Sequence, residues 1–306
     1  MKPKLLKIHR WLALAFSLPL AVVILTGLVL SFEPAAHSLS RTSGQFNAAR
    51  AVELLRQHDP EGKARAIAYR GYDGTMDIAG ARPGMPMVVD VATGELRAGP
   101  GLLARSFNMA RKLHLFVLQP LRPLLVASTV AFLLLAILGV FMGLPRLSNS
   151  LSGWHKGIAW FGLPLLVLAP LTGLLMHLGV TFGGGGAAPK SIGMTGQPMS
   201  LVQVLEAAGP DRDLGSMVWV RTMGPRHMMR QTEGARFQGY FLVPGNAVEV
   251  PRNIPRAIHE GLWSVPVGLA INLVISVLSM GLLVTGLWIW LRRRARRSRA
   301  GTVVAA

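Results

Sequence analysis

Eight histidines are the side chains of this sequence best suited to chemistry: His9, His37, His58, His114, His155, His177, His227 and His259. At ordinary pH a neutral imidazole serves as a proton carrier and as a nitrogen ligand for metals. The 306 residues include no cysteine. Disulfides, iron–sulfur clusters, cysteine zinc sites and thiol nucleophiles are thereby excluded. The sequence holds no dinucleotide-binding fingerprint, HExxH, GxSxG or phosphate loop, so no bound flavin or NAD, no hydrolase and no ATP-driven pump is expected. If this chain moves electrons, histidine-ligated haem is nearly the only route open to it.

The spacing of the histidines repeats. An offset of 146 lays His9-Arg10 on His155-Lys156 and Thr26-Gly27-Leu28 on Thr172-Gly173-Leu174. At 145 His114 falls on His259, and at 147 Leu138-Gly139 falls on Thr285-Gly286. Such a period reads as a duplicated unit. Each histidine pair then lies at one membrane level on helices related by pseudosymmetry. A planar metal cofactor between two helices needs one neutral imidazole on each face. The pattern fits two bis-histidine haems, one near each membrane face, held by His9 with His155 and by His114 with His259; interfacial anchors or helix-end caps are the alternative reading of these four histidines. His177 follows His155 within about 40° of the same phase on a continuous helix, roughly 33 Å along it. It is expected either to replace His114 or His259 as a ligand or to line the electron path. His58 reads as a solvated helix end and His37 as a surface residue. The Thr-Gly pairs read as sites of close helix packing. Met223, Met228 and Met229 with His227 have the soft donors of a Cu(I) site, with strand-core methionine as the alternative.

Apolar helices must position these residues. The chain is 51% hydrophobic and 15% charged, with a mean hydropathy of +0.43; soluble domains average about 25% charged. Four stretches, near 11–32, 121–144, 158–180 and 262–291, approach or exceed the roughly 20 apolar residues that span a bilayer. Pro164 and Pro170 interrupt the third, and Trp11, Trp154, Trp160, Trp263, Trp288 and Trp290 cluster near the ends of the spans. Net charge is +18. Lys2, Lys4, Lys7 and Arg10, then Arg146 and Lys156, then Arg292, Arg293, Arg294, Arg296, Arg297 and Arg299 occupy three segments without an acid. All 14 acidic residues lie in or beside two long loops. The positive-inside rule then places both termini in the cytoplasm and both loops outside, with the first span a retained anchor. The basic excess is a topology signal, and no nucleic acid is expected as a partner.

Each loop reads as a small α+β domain. In the first, 48–58 is an amphipathic helix followed by strands at 64–70, 75–79 and 87–91 and a turn at Ala92-Thr93-Gly94-Glu95. In the second, a helix at 201–207 precedes strands at 217–221, 227–231 and 239–243, with a glycine linker at 183–186. The expected fold is an all-α transmembrane four-helix bundle of two tandem repeats, each carrying a small external α+β domain. Its divisions are 1–33 (N-terminus and first span), 34–112 (first external domain), 113–145, 146–155 (cytoplasmic connection), 156–180, 181–257 (second external domain), 258–291, and a basic tail at 292–306.

The stretches Lys7-Ile8-His9-Arg10-Trp11-Leu12-Ala13-Leu14 to Leu25-Thr26-Gly27-Leu28, and His259-Glu260-Gly261-Leu262-Trp263 to Trp288-Ile289-Trp290-Leu291-Arg292-Arg293, resemble the first and last helices of PepSY-associated transmembrane proteins. Thr93-Gly94-Glu95 after Val89-Asp90-Val91 is similar to the end of a PepSY domain. Some members of that family are haem-containing inner-membrane reductases that release iron from ferric siderophores. The resemblance implies His9, His155, His114 and His259 as ligands, a cytoplasmic flavoprotein or membrane quinol as donor, and an external ferric chelate as substrate, the role being iron acquisition. The other readings are a non-enzymatic binding or regulatory membrane protein, and a copper-handling protein or small transporter.

Overall fold

The computed structural model describes residues 2–41, 46–116, 122–145, 148–183, 199–209, 211–224, 226–243 and 246–304. Linker residues 184–186 and Arg146 lie outside them. The chain forms two compact units: a helical unit of Met1–Ser31, Met109–Val180 and Ala270–Ala306, and a sheet unit of Phe32–Asn108 and Thr181–Leu269.

The helical unit begins with α1 (Lys2–Ala15) and α2 (Ser17–Leu30), separated at Phe16. Ser17 turns its hydroxyl back onto the Leu14 carbonyl, and Pro19 supplies no amide hydrogen to the first turn of α2. After α5 (Leu102–Phe116), which enters from the sheet unit, comes α6 (Arg122–Phe141), against which α1, α2, α7 and α8 pack. The third apolar stretch is two helices, α7 (Leu151–Phe161) and α8 (Leu163–His177), bent by 62° at Gly162. Pro164 in the first turn of α8 explains the break. A Cβ on Gly162 would stand 2.8 Å from the Ile158 carbonyl oxygen and 2.9 Å from Leu278 Cδ1 of α11 (Val265–Val304), so the backbone there favours glycine. The basic tail continues α11, whose helix runs to Val304.

Among the described residues three helices are long and apolar enough to cross a membrane, or four if the bent pair is one span. Their surfaces match lipid: Leu18, Phe161 and Val277 are 74%, 79% and 64% exposed, an arrangement unfavourable in water. Every one of the 14 acidic residues falls in the sheet unit, so the helical unit contains no carboxylate side chain.

The sheet unit departs from two separate small domains. Its strands are β1 (Ala66–Arg70), β2 (Thr75–Ala79), β3 (Met87–Asp90), β4 (Leu96–Arg97), β5 (Met217–Met223), β6 (Arg226–Glu233), β7 (Arg236–Val243) and β8 (Asn246–Glu249). They form one eight-stranded antiparallel sheet in the palindromic order β4-β3-β2-β1-β5-β6-β7-β8. The seam is β1 against β5, where Ala66, Ile67 and Ala68 meet Arg221, Val220 and Trp219. Helices α4 (Ala48–His58) and α9 (Leu201–Ala207) pack against each other, and one core joins Phe46, Leu54, Leu55, Ile67 and Val89 to Leu205, Val220 and Met229. Neither thin domain could bury enough apolar surface alone, and pairing edge to edge removes that shortage together with two exposed strand edges. Local sequence supports the elements. Asn47 caps α4, and Ser200 and Gln203 form a capping box on α9. Asp90 accepts the amides of Ala92 and Thr93 in the predicted turn, where Gly94 takes φ +77°. Short elements without a periodic signal, α3 (Glu33–Leu39), β4, β8 and α10 (Ile254–His259), are absent from the sequence reading.

Candidate functional site

Four of the five histidines expected at a site lie in the helical unit. His155 stands midway along α7, with its Nδ1 2.8 Å from the Thr285 hydroxyl of α11. His114 stands in the last turn of α5, with its Nδ1 3.0 Å from the Thr26 hydroxyl of α2. In both cases the residue after the threonine is glycine, and the ring lies against it. A Cβ on Gly27 would be 3.3 Å from His114 Cε1, and one on Gly286 3.4 Å from His155 Cε1. The two seats share the same three parts.

His9 is brought near His155, close enough for the two rings to interact electrostatically. Their surroundings differ. His9 faces the backbone of Leu135 and His155 that of Leu282, yet His9 Nδ1 is buried without a hydrogen-bond partner. Gly139, at the position an offset of 147 relates to Gly286, opens onto empty space. No acidic side chain exists in this unit to pair with any of these imidazoles. Among the described residues no three His, Cys, Asp or Glu side chains gather into a metal cluster, so the ligands on offer are single imidazoles.

His177 is the last residue of α8 and is exposed. Because α7 and α8 bend at Gly162, helical phase and rise counted from His155 do not carry across the break, and the expectation that both point the same way fails there. His259 ends α10 and belongs to the sheet unit. His58 is no free helix end: its Nε2 bonds the Gly94 carbonyl at 2.8 Å and ties α4 to the β3–β4 turn. His37 packs edge-on against Tyr72, with ring centroids 5.0 Å apart.

The soft-donor group does not assemble. Strand alternation puts His227 and Met229 on the core face of β6 and Met228 on the other. Met229 is 1% exposed in the core, whereas Met223 is half exposed at the end of β5. His227 is itself buried, and burial alone holds its pKa below the usual histidine value. The arginines of this strand region are partly engaged. Arg221 and Arg230 lie over the Trp219 ring at 4.5 and 5.1 Å, Arg226 over Phe241, and Arg230 and Arg236 pair with Glu260 and Glu233.

Sequence reasoning found the histidines and took the adjoining Thr-Gly pairs for packing features. The signal that could have marked them is the Thr-Gly pair that recurs in the first, third and fourth apolar stretches and gives way to Leu138-Gly139 in the second. A search of curated proteins finds none similar to the chain. The family model for the PepSY-associated TM region matches residues 6–293, nearly the whole length and both units. The chain is therefore a membrane protein belonging to the PepSY-associated transmembrane family.

Proposed function

We propose that this protein is a haem-b electron conduit of the bacterial inner membrane that reduces an external ferric chelate, in the manner of a ferric-siderophore reductase. The observation that carries the reading is the approach of His9 and His155, one from each half of the chain, inside an apolar unit without a carboxylate. Neutral nitrogen donors, a buried Nδ1 without a partner on His9, and glycines that leave room for a ring beside His114 and His155 fit a porphyrin iron ligated by imidazoles. His9 and His155 would hold one haem. His114 would serve as a ligand of the other.

The bound groups would supply one-electron transfer. The chain's own contribution is to hold neutral imidazoles, exclude water with apolar side chains, and keep anions out of the path. In this reading four spans form a duplicated bundle, both termini are cytoplasmic, and the sheet unit lies outside. A cytoplasmic flavoprotein or membrane quinol is the donor. The chelate is the acceptor, and its iron, once reduced to Fe(II), is held less tightly by oxygen ligands. Arg221, Arg226, Arg230 and Arg236 would attract an anionic chelate. The test is the absorption spectrum of detergent-purified protein from haem-replete cells. A b-type spectrum, reduced by dithionite and reoxidised by a ferric chelate, is expected. A folded, haem-free protein overturns the reading.

A further inference from the structure

Thr26 and Thr285, which meet histidines, are already committed as donors. Thr26 gives its hydroxyl hydrogen to the Val22 carbonyl at 2.7 Å, and Thr285 gives its own to the Gly281 carbonyl at 2.6 Å. A hydroxyl has one hydrogen and two lone pairs. Toward the imidazole the oxygen is therefore an acceptor, and Nδ1 of His114 and of His155 must carry the hydrogen. A neutral imidazole protonated at Nδ1 has its lone pair on Nε2, the nitrogen on the far side of the ring from the threonine.

We propose that Thr26 and Thr285 are positioning residues that fix the tautomer and tilt of His114 and His155 so that Nε2 is presented as the iron ligand. Gly27 and Gly286 complete each seat by letting the ring lie against the helix. This inference rests on the haem reading and adds an inequality within the His9–His155 pair. His155 is clasped through Nδ1. His9 is turned toward the Leu135 backbone and meets no threonine hydroxyl among the described residues, and Leu138 stands at the position related to Thr285. Donation from Nδ1 makes an imidazole a stronger donor to Fe(III) and lowers the reduction potential. Thr285 thus sets the potential of the haem between His9 and His155, and Thr26 that of the haem at His114.

The experiment compares Thr285→Val, Thr285→Ser and Thr26→Val with the wild type as full-length, haem-loaded protein in detergent. Haem retention against an apo-haem scavenger and a redox titration are the readouts. Thr285→Val is expected to release one haem about tenfold more readily and to raise one of the two midpoint potentials. Thr285→Ser should restore both, and Thr26→Val should shift the other midpoint. Haem-loaded variants identical to wild type, or a serine that rescues nothing, overturn the role of the threonines while leaving the haem reading intact. A haem-free wild type overturns the haem reading. In that event ¹⁵N spectra of histidine-labelled protein still decide the clasp: Nδ1–H tautomers at His114 and His155, lost one at a time in the valine variants, support it, and Nε2–H tautomers in the wild type overturn it.

Discussion

In the sheet unit the two halves of the chain share one strand ladder across β1 and β5 and one core, where Leu54 and Ile67 of the first half touch the same cluster as Leu205 and Val220 of the second. In the helical unit each histidine clasp closes within its own half, Thr26 with His114 and Thr285 with His155. Across the halves the polar approaches include His9 to His155 and the Trp160 indole to the Gly143 carbonyl at 3.1 Å. The solvent explains the difference. Where water surrounds the fold, merging two thin domains removes apolar area from water at about 25 cal/mol per Å². Among lipid tails that driving force is absent, and helices associate through small residues and a few polar contacts. The helical halves therefore keep apolar outer surfaces and a small set of polar contacts inside. The pair His9 and His155 is where a cofactor would join them.

The largest expected effect breaks the fused core. Leu54→Ala, at a fully buried position, should destabilise the sheet unit by about 2–5 kcal/mol. Leu205→Ala should lower the same thermal transition, because both side chains share one core. Two separate transitions in either variant would show that the halves unfold independently and that the seam is weak.

A smaller effect sharpens the inequality between the clasped and unclasped seats. Gly286→Ala puts a methyl in contact with His155 Cε1 and should lower haem affinity, by less than the loss of the Thr285 hydroxyl does. Gly139→Ala meets nothing and should leave haem affinity unchanged, while stabilising its helix by about 0.5–1 kcal/mol. Equal losses in the two variants would show that the seats are equivalent after all. Haem titration and thermal melts of both proteins make the comparison.

The smallest expected effect lies in the sheet unit and concerns pH. His227 is buried in the core, and burial lowers its pKa from 6.5. Below pH 6.5 the unfolded chain binds a proton that the folded chain refuses, so stability falls as pH drops from 6.5 toward the depressed folded value and the loss levels off below it. His227→Leu should flatten that part of the profile relative to wild type. An identical slope in the two proteins, followed by thermal melts between pH 7.5 and 5, would assign the dependence to other groups.

The elements legible in the sequence were those with strong periods. The helix at 48–58 and the strand at 75–79 coincide with the observed bounds because alternation and amphipathicity are local signals. The β1–β5 seam was not legible, because strand pairing between segments about 150 residues apart leaves no mark in either one. The 62° bend at Gly162 was only half legible. Pro164 and Pro170 looked alike as interruptions, yet Pro170 sits inside an unbroken α8, whereas Pro164 sits in the first turn after a glycine wedged against Leu278. At the candidate site the histidine types and their offset were readable. The threonine partners were not, because Thr26 and Thr285 act on side chains 88 and 130 residues away.

Haem stoichiometry in the ligand variants tests the central claim most directly. Pyridine haemochrome measurement on equal amounts of purified wild type, His9→Ala and His155→Ala should give two haems per chain for the first and one for each variant, with the remaining haem retaining a low-spin spectrum. A haem-free wild type, or haem content unchanged in both variants, would contradict the assignment of His9 and His155 as a ligand pair.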